Sequence, residues 1–231
     1  MGTLYGVSVG SGDPELMTVK AVRILESCGV IAVPRTHGEN SLALSIAEQA
    51  ADMSGKRKVY LDFPMCRDRE ALDRNYDEIA EILCGLLKSD DVAVPTLGDI
   101  SVYSTFSRIA QRVEERGFKA EICAGVTSFS AAAASLGKPL CLGSEPLHIL
   151  PYGCEDFEKL LDLRGTKVIM KTGSKSGELI ALLRKKGLAL RTSVIENCGL
   201  DNERIFGSLD QVPDDLGYFT VFIVGECRDE T

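Results

Sequence analysis

Residues 92–105 read VAVPTLGDISVYST. Val92-Ala93-Val94 is the short apolar run of a strand buried on both faces of a parallel sheet. Pro95 has no N–H to give a ladder, so the run is expected to stop there, ahead of Leu97-Gly98-Asp99. From Tyr103 the pattern becomes helical, with Phe106, Ile109, Ala110 and Val113 apolar and Arg108, Arg112, Glu114 and Glu115 charged. A glycine and an unpaired acid therefore sit on a strand-to-helix connection. In open α/β sheets, ligands bind at that place, outside the carboxyl ends of the strands. A carboxylate there repels phosphate and suits a cation, a hydroxyl or an amine. A plain turn is the structural alternative, since Asp is a favoured turn residue.

To either side, apolar runs and amphipathic segments alternate. Strands are expected at residues 4–9, 30–33, 58–61 and 119–123, and helices from Pro14 and Thr18 onward, at 41–53 and at 69–87. In the last of these helices Leu72, Tyr76, Ile79, Ile82, Leu83 and Leu86 form the inward side. Past Cys123 the texture changes. A small-residue helix at 130–136 is followed by strands at 147–150, 167–171, 192–195, 204–206 and 219–224, with helices only at 157–161 and 177–185. The expected fold is α/β in two domains. Residues 1–122 carry a mostly parallel sheet and residues 123–231 an α+β unit with a mixed sheet. Paired domains usually hold ligand in the cleft between them.

Composition excludes several classes. The 231 residues are 45% hydrophobic and 26% charged, as in ordinary soluble proteins. A net charge of −8 argues against a nucleic-acid partner. The N-terminus lacks the pattern of a signal peptide, and no apolar run approaches the roughly 18 residues of a membrane span, so no membrane partner and a cytoplasmic location are expected. Eight cysteines include no C-x-x-C pair, and there are two histidines. Free buried thiols in a reducing compartment and no metal site are the reading.

Gly10-Ser11-Gly12 after the first strand invites a dinucleotide fingerprint, but Glu15 stands where a third glycine belongs and Asp13 faces the helix entrance. Arg35 keeps an NADP oxidoreductase open as an alternative, through a 2′-phosphate. The structural alternative is a tight turn with Asp13 as helix cap. The turn is also read as lining a site through Gly10, Gly12 and Asp13. Arg35, Arg67 and Arg69 lie at or just past strand ends, where arginine can grip carboxylates bidentately, although the alternating acids around them suit a solvated face. Gly125-Val126-Thr127-Ser128 fits a helix start with Ser128 as cap, and Met170 at a strand end fits a core residue. No Ser-His-Asp, Cys-His or P-loop constellation is legible, and no catalytic residue is assigned. A reaction that works by positioning two reactive partners needs none.

These stretches together resemble the tetrapyrrole methylase family across nearly the whole chain. The resemblance rests on Val9-Gly10-Ser11-Gly12-Asp13-Pro14-Glu15-Leu16 with Thr18, Lys20 and Ala21, where one family glycine position is compressed. It rests also on Gly98-Asp99 with Tyr103-Ser104-Thr105, where Ile100 replaces the usual proline. Further matches are Gly125 to Phe129, with Ala124 where proline is usual, Val168 to Lys171, and Glu196-Asn197 with Gly199. Leu61 to Met65, Arg67 to Leu72 and Tyr218-Phe219-Thr220 are similar to the branch that methylates C(20) of precorrin-2 or cobalt-factor II. The resemblance implies S-adenosylmethionine as donor. Leu97, Gly98, Asp99, Val102, Tyr103, Thr127, Ser128, Met170, Asn197, Cys198, Thr220 and Val221 would then lie at the donor site. It implies a carboxylate-rich tetrapyrrole acceptor, with or without cobalt, in an arginine-lined trough, and a homodimer. Methylation at another ring position stays open, as does a module that binds tetrapyrrole without turnover.

Overall fold

The computed structural model describes residues 1–35, 41–64 and 68–226. In chain order the elements are β1 (Thr3–Ser8), α1 (Val19–Ser27), β2 (Val30–Arg35), α2 (Leu42–Ala50), β3 (Arg57–Asp62), α3 (Arg69–Leu86), β4 (Val92–Thr96), α4 (Phe106–Glu115) and β5 (Lys119–Cys123). There follow α5 (Ser128–Ser135), β6 (Leu147–Pro151), α6 (Phe157–Leu161), β7 (Thr166–Met170), α7 (Ser176–Lys185), β8 (Thr192–Glu196), β9 (Arg204–Phe206) and β10 (Thr220–Val224). The chain divides into two units, Met1–Thr127 and Ser128–Thr231.

In the first unit the strands pair in the order β3-β2-β4-β1-β5, all parallel. Successive residues of a strand point to opposite faces, and here each face has its own core. Leu4, Val30, Ala32, Val92 and Val94 join α3 and α4 in one. Val7, Val9, Ile31, Val33 and Ala93 join α1 and α2 in the other. That double burial is why the central strands β2 and β4 read as apolar runs, each fully buried Val, Leu or Ile contributing roughly 1.5–3 kcal/mol. On the outer side of the α3–α4 pair, Arg112 reaches Asp73 at 2.9 Å and Asp77 at 3.2 Å and lies over the Tyr76 ring.

Three expectations for the first unit are corrected. β4 does not stop at Pro95 but runs to Thr96. Its pairing with β2 has ended by Ile31 and Ala93, whereas β1 stays in register to Ser8 and Thr96. The Thr96 carbonyl accepts from Val9 on the β1 side, so the donor that Pro95 lacks falls on the side β2 has left. The following helix begins at Phe106, not Tyr103, because Tyr103 has φ +53°, outside the right-handed helical region. Ile82 is 47% exposed, on the outer face of α3 rather than the inner.

The second unit has the order β6-β7-β10-β8-β9. β6 and β7 are parallel and the other pairings antiparallel, a mixed sheet. One face carries Ile169, Val194 and Phe222 into a core with Phe157 and Leu161 of α6 and Leu179 and Leu183 of α7. Val168, Ser193 and Ile223 are cross-strand neighbours on the other face. α5 contacts β10 and buries Ala131, Ala132 and Ala133, side chains small enough for close approach. Ser128 is the first residue of α5 rather than its cap. Among the described residues no helix is long and apolar enough to cross a membrane.

Candidate functional site

Parallel strands bring their carboxyl ends to one edge, and β1, β4 and β5 are neighbours, so the segments after them meet in the first unit. Ser8 ties them together. Its side chain is fully buried; the hydroxyl donates to the Cys123 carbonyl at 2.7 Å and accepts from the Ile100 N–H at 2.9 Å. Beside it Gly10 and Gly98 exchange backbone hydrogen bonds of 2.6 and 3.3 Å as an isolated bridge. Both have positive φ, +77° and +75°. A Cβ on Gly125 would lie 2.4 Å from the Ser8 Cβ, so glycine is required for the third segment to close in. A Cβ on Gly98 would meet nothing within 4 Å, so the buried Gly98 borders open space.

Asp99 is not the unpaired acid expected from its neighbours in sequence. One carboxylate oxygen accepts from the Ser101 N–H at 2.8 Å and from the Ser101 hydroxyl; the other accepts from the Gly125 N–H at 2.7 Å. Burial pushes this carboxyl up, but the hydrogen bonds from Ser101 and Gly125 outweigh it and hold it below the usual carboxylate range. An ionised carboxylate has about four lone-pair positions, so capacity remains for a hydroxyl or amine donor. The Val102 N–H closes a turn on the Asp99 carbonyl at 3.1 Å, and Tyr103 is 43% exposed. Leu97 is half-buried.

In the preceding loop Asp13 caps a short 3₁₀ turn, Pro14–Leu16, by accepting from the Glu15 N–H at 2.8 Å. Thr18 then caps α1 through the Ala21 N–H at 3.1 Å. Gly12 is buried here, and the buried Ser11 hydroxyl has no hydrogen-bond partner. Of the arginines expected to grip carboxylates, Arg35 already holds one. Its Nε and Nη2 donate to Asp62 at 2.6 and 3.1 Å, and its guanidinium lies 5.0 Å from the Tyr60 ring centroid. Arg69 is the exposed first residue of α3, next to the cap Asp68. Arg67 lies outside the described residues.

The second unit presents its own strand ends. β10 runs antiparallel between β7 and β8, which sets its first residue, Thr220, opposite Glu196 at the end of β8. Met170 at the end of β7 and Val221 fall on one face of the sheet. Asn197 has φ +53° and donates its N–H to Phe219 at 2.8 Å, and the Thr220 hydroxyl donates to the Gly217 carbonyl at 2.8 Å. Cys198 is buried, with its sulfur 3.8 Å from the Ser135 hydroxyl. Thr127 and Ser128 are both half-buried where the first unit ends and the second begins.

Two devices here escape a reading by local pattern. One is Ser8, a serine inside an apolar strand, the signal that could have exposed it. The other is a clamp behind Asn197. Buried Glu196 accepts from the Arg204 guanidinium and from the Gly217 N–H, and Arg204 also reaches Asp215 at 3.1 Å. The Arg204 guanidinium holds Glu196 below the usual carboxylate range, with burial opposing and the Gly217 N–H assisting.

Residues 3–213 match the family of tetrapyrrole (corrin/porphyrin) methylases. A Methanocaldococcus jannaschii protein named probable cobalt-precorrin-2 C(20)-methyltransferase is 36% identical over 90% of this chain and 89% of its own. The cobalt-precorrin-2 C(20)-methyltransferase of Salmonella typhimurium is 32% identical over 97% of both. In fold, the chain is similar to the uroporphyrin-III C-methyl transferase of Thermus thermophilus solved with S-adenyl homocysteine. That likeness has a TM-score of 0.70 at 22% identity and covers 97% of this chain and 92% of the other.

Proposed function

The chain belongs to the tetrapyrrole methylase family, and from that premise we propose that it transfers a methyl group from S-adenosylmethionine to C(20) of precorrin-2 or its cobalt form in cobalamin biosynthesis. One observation carries the reading. Two relatives above 30% identity, aligned over at least nine-tenths of this chain, are both named for C(20) methylation of cobalt-precorrin-2. Their shared name favours the cobalt-loaded acceptor, in which the metal arrives as part of the substrate. A cytoplasmic homodimer is part of the proposal, on family resemblance.

The donor chemistry agrees with the loops. Bound S-adenosylmethionine supplies a methyl group activated on a sulfonium centre, together with ribose hydroxyls. Asp99, kept ionised by Ser101 and Gly125, suits a hydroxyl donor and disfavours a phosphate. Gly98 offers backbone beside open space. We assign the donor to Leu97, Gly98, Asp99, Val102 and Tyr103 after β4, to Thr127 and Ser128, and to Met170, Asn197, Cys198, Thr220 and Val221 of the second unit. The acceptor is assigned to Gly10, Gly12, Asp13, Arg35, Arg67 and Arg69. Arg35 serves there only by sharing or releasing Asp62.

The chain's own part is alignment: holding the acceptor carbon in line with the carbon–sulfur bond that breaks as the new carbon–carbon bond forms. The C(20) proton then leaves, and no side chain is assigned to take it. Incubation with S-adenosylmethionine and either acceptor form, read by product mass, should add one methyl. An acceptor recovered without an added methyl overturns the proposal, and tight NADPH binding without S-adenosylmethionine binding replaces it with an oxidoreductase.

A further inference from the structure

The second unit contains a cleft enclosing about 200 Å3 that none of the proposed donor residues lines. Its wall includes Thr166, Leu136, Ile223, Lys138, Arg191 and Glu226. Thr166 starts β7 and Met170 ends it, so both point to the same face, about 13 Å apart at 3.3 Å per residue. The cleft and Met170, with Val221 beside it, thus occupy opposite ends of one sheet face.

Three features make this more than a packing defect. Thr166 is 1% exposed and its hydroxyl has no hydrogen-bond partner, a cost normally removed by a ligand or an ordered water. Lys138 and Arg191 flank the cleft, and neither forms an ion pair among the described residues, although the chain carries a net charge of −8. Leu136 and Ile223 supply apolar wall. Glu226 lines the cleft too, but its carboxylate accepts from the Gly165 N–H and lies near the buried Lys167, which offsets its charge.

We propose that this cleft is a second binding site, for a small carboxylate with a short apolar body. The carboxylate lies between Lys138 and Arg191, the Thr166 hydroxyl donates to it, and the apolar body rests on Leu136 and Ile223. The inference is independent of the methyl-transfer reading, since none of these residues belongs to the proposed donor or acceptor sites.

Calorimetric titration of the full chain with hexanoate tests it, with hexanol and inorganic phosphate as probes of its two halves. Hexanoate is expected to saturate one site per chain, with hexanol and phosphate at least about tenfold weaker. The Lys138→Ala, Arg191→Ala double variant should lose about tenfold or more in hexanoate affinity. Thr166→Val keeps the shape and removes the hydroxyl. It should weaken hexanoate about threefold or more without lowering the melting temperature, because no protein hydrogen bond is lost. Absence of saturable hexanoate binding, equal binding of hexanol or phosphate, or unchanged affinity in both variants overturns the proposal. Methyl transfer is assayed separately on the same samples, so failure of either reading is seen without the other.

Discussion

The two units fix their strand ends by different physics. In the first, Ser8, Gly10, Gly98 and Gly125 join three segments through backbone hydrogen bonds, one buried hydroxyl and the absence of side chains. In the second, the ionic clamp Glu196–Arg204–Asp215 holds the segments around Asn197 and Gly217. The staple depends on shape and is indifferent to salt. The clamp depends on charge, and Arg204 is partly open to solvent, so salt reaches it.

The largest expected effect attacks shape. Gly125→Ala places a methyl 2.4 Å from the Ser8 Cβ and should destabilise the first unit by about 2–3 kcal/mol in urea unfolding. Gly98→Ala meets open space and carries only the positive-φ cost, about 1–2 kcal/mol. If the two variants lose equally, close packing at Gly125 is not what joins the segments. Ser8→Ala strands the Ile100 N–H and the Cys123 carbonyl, for a loss of about 1–3 kcal/mol that should not change with ionic strength.

Glu196→Gln turns the comparison to charge. Unfolding of the second unit in the parent should shift with salt, and the shift should shrink in the variant. A salt response equal in both would mean that the clamp does not hold these segments by charge. Smallest is the acid response. Asp99 and Glu196 both have folded values below the ordinary carboxylate range, so each stabilises fully above about pH 4–5, and that contribution is lost as pH falls through the folded value. Asp99→Asn and Glu196→Gln should each flatten the acid limb of the stability profile measured by melting temperature.

Most of the architecture was legible because buried strands must be apolar and period-two alternation has two cores to serve. The central strands β2 and β4, buried along most of their length, were legible for that reason; β5 and α6 also coincide with their expected ranges. The Pro95 break failed because a sequence does not say which neighbour a strand has already left. The helix start at Tyr103 failed because helical spacing carries no φ. Asp99 read as unpaired because the pattern does not announce backbone donors: one oxygen is taken up locally by Ser101 and the other by the Gly125 N–H, 26 residues away. Arg35 read as available because its acid is on the neighbouring strand, 27 residues on. The clamp hid among ordinary surface charges: only folding shows that Glu196 is 3% exposed and Arg204 reaches it.

The central claim is the position of the new methyl group. Reaction of the acceptor with S-adenosylmethionine carrying a 13C-labelled methyl, followed by NMR of the purified product, reports that position directly. One labelled methyl bonded to C(20) is the expected result. A labelled methyl on any other ring carbon, or on none, contradicts it.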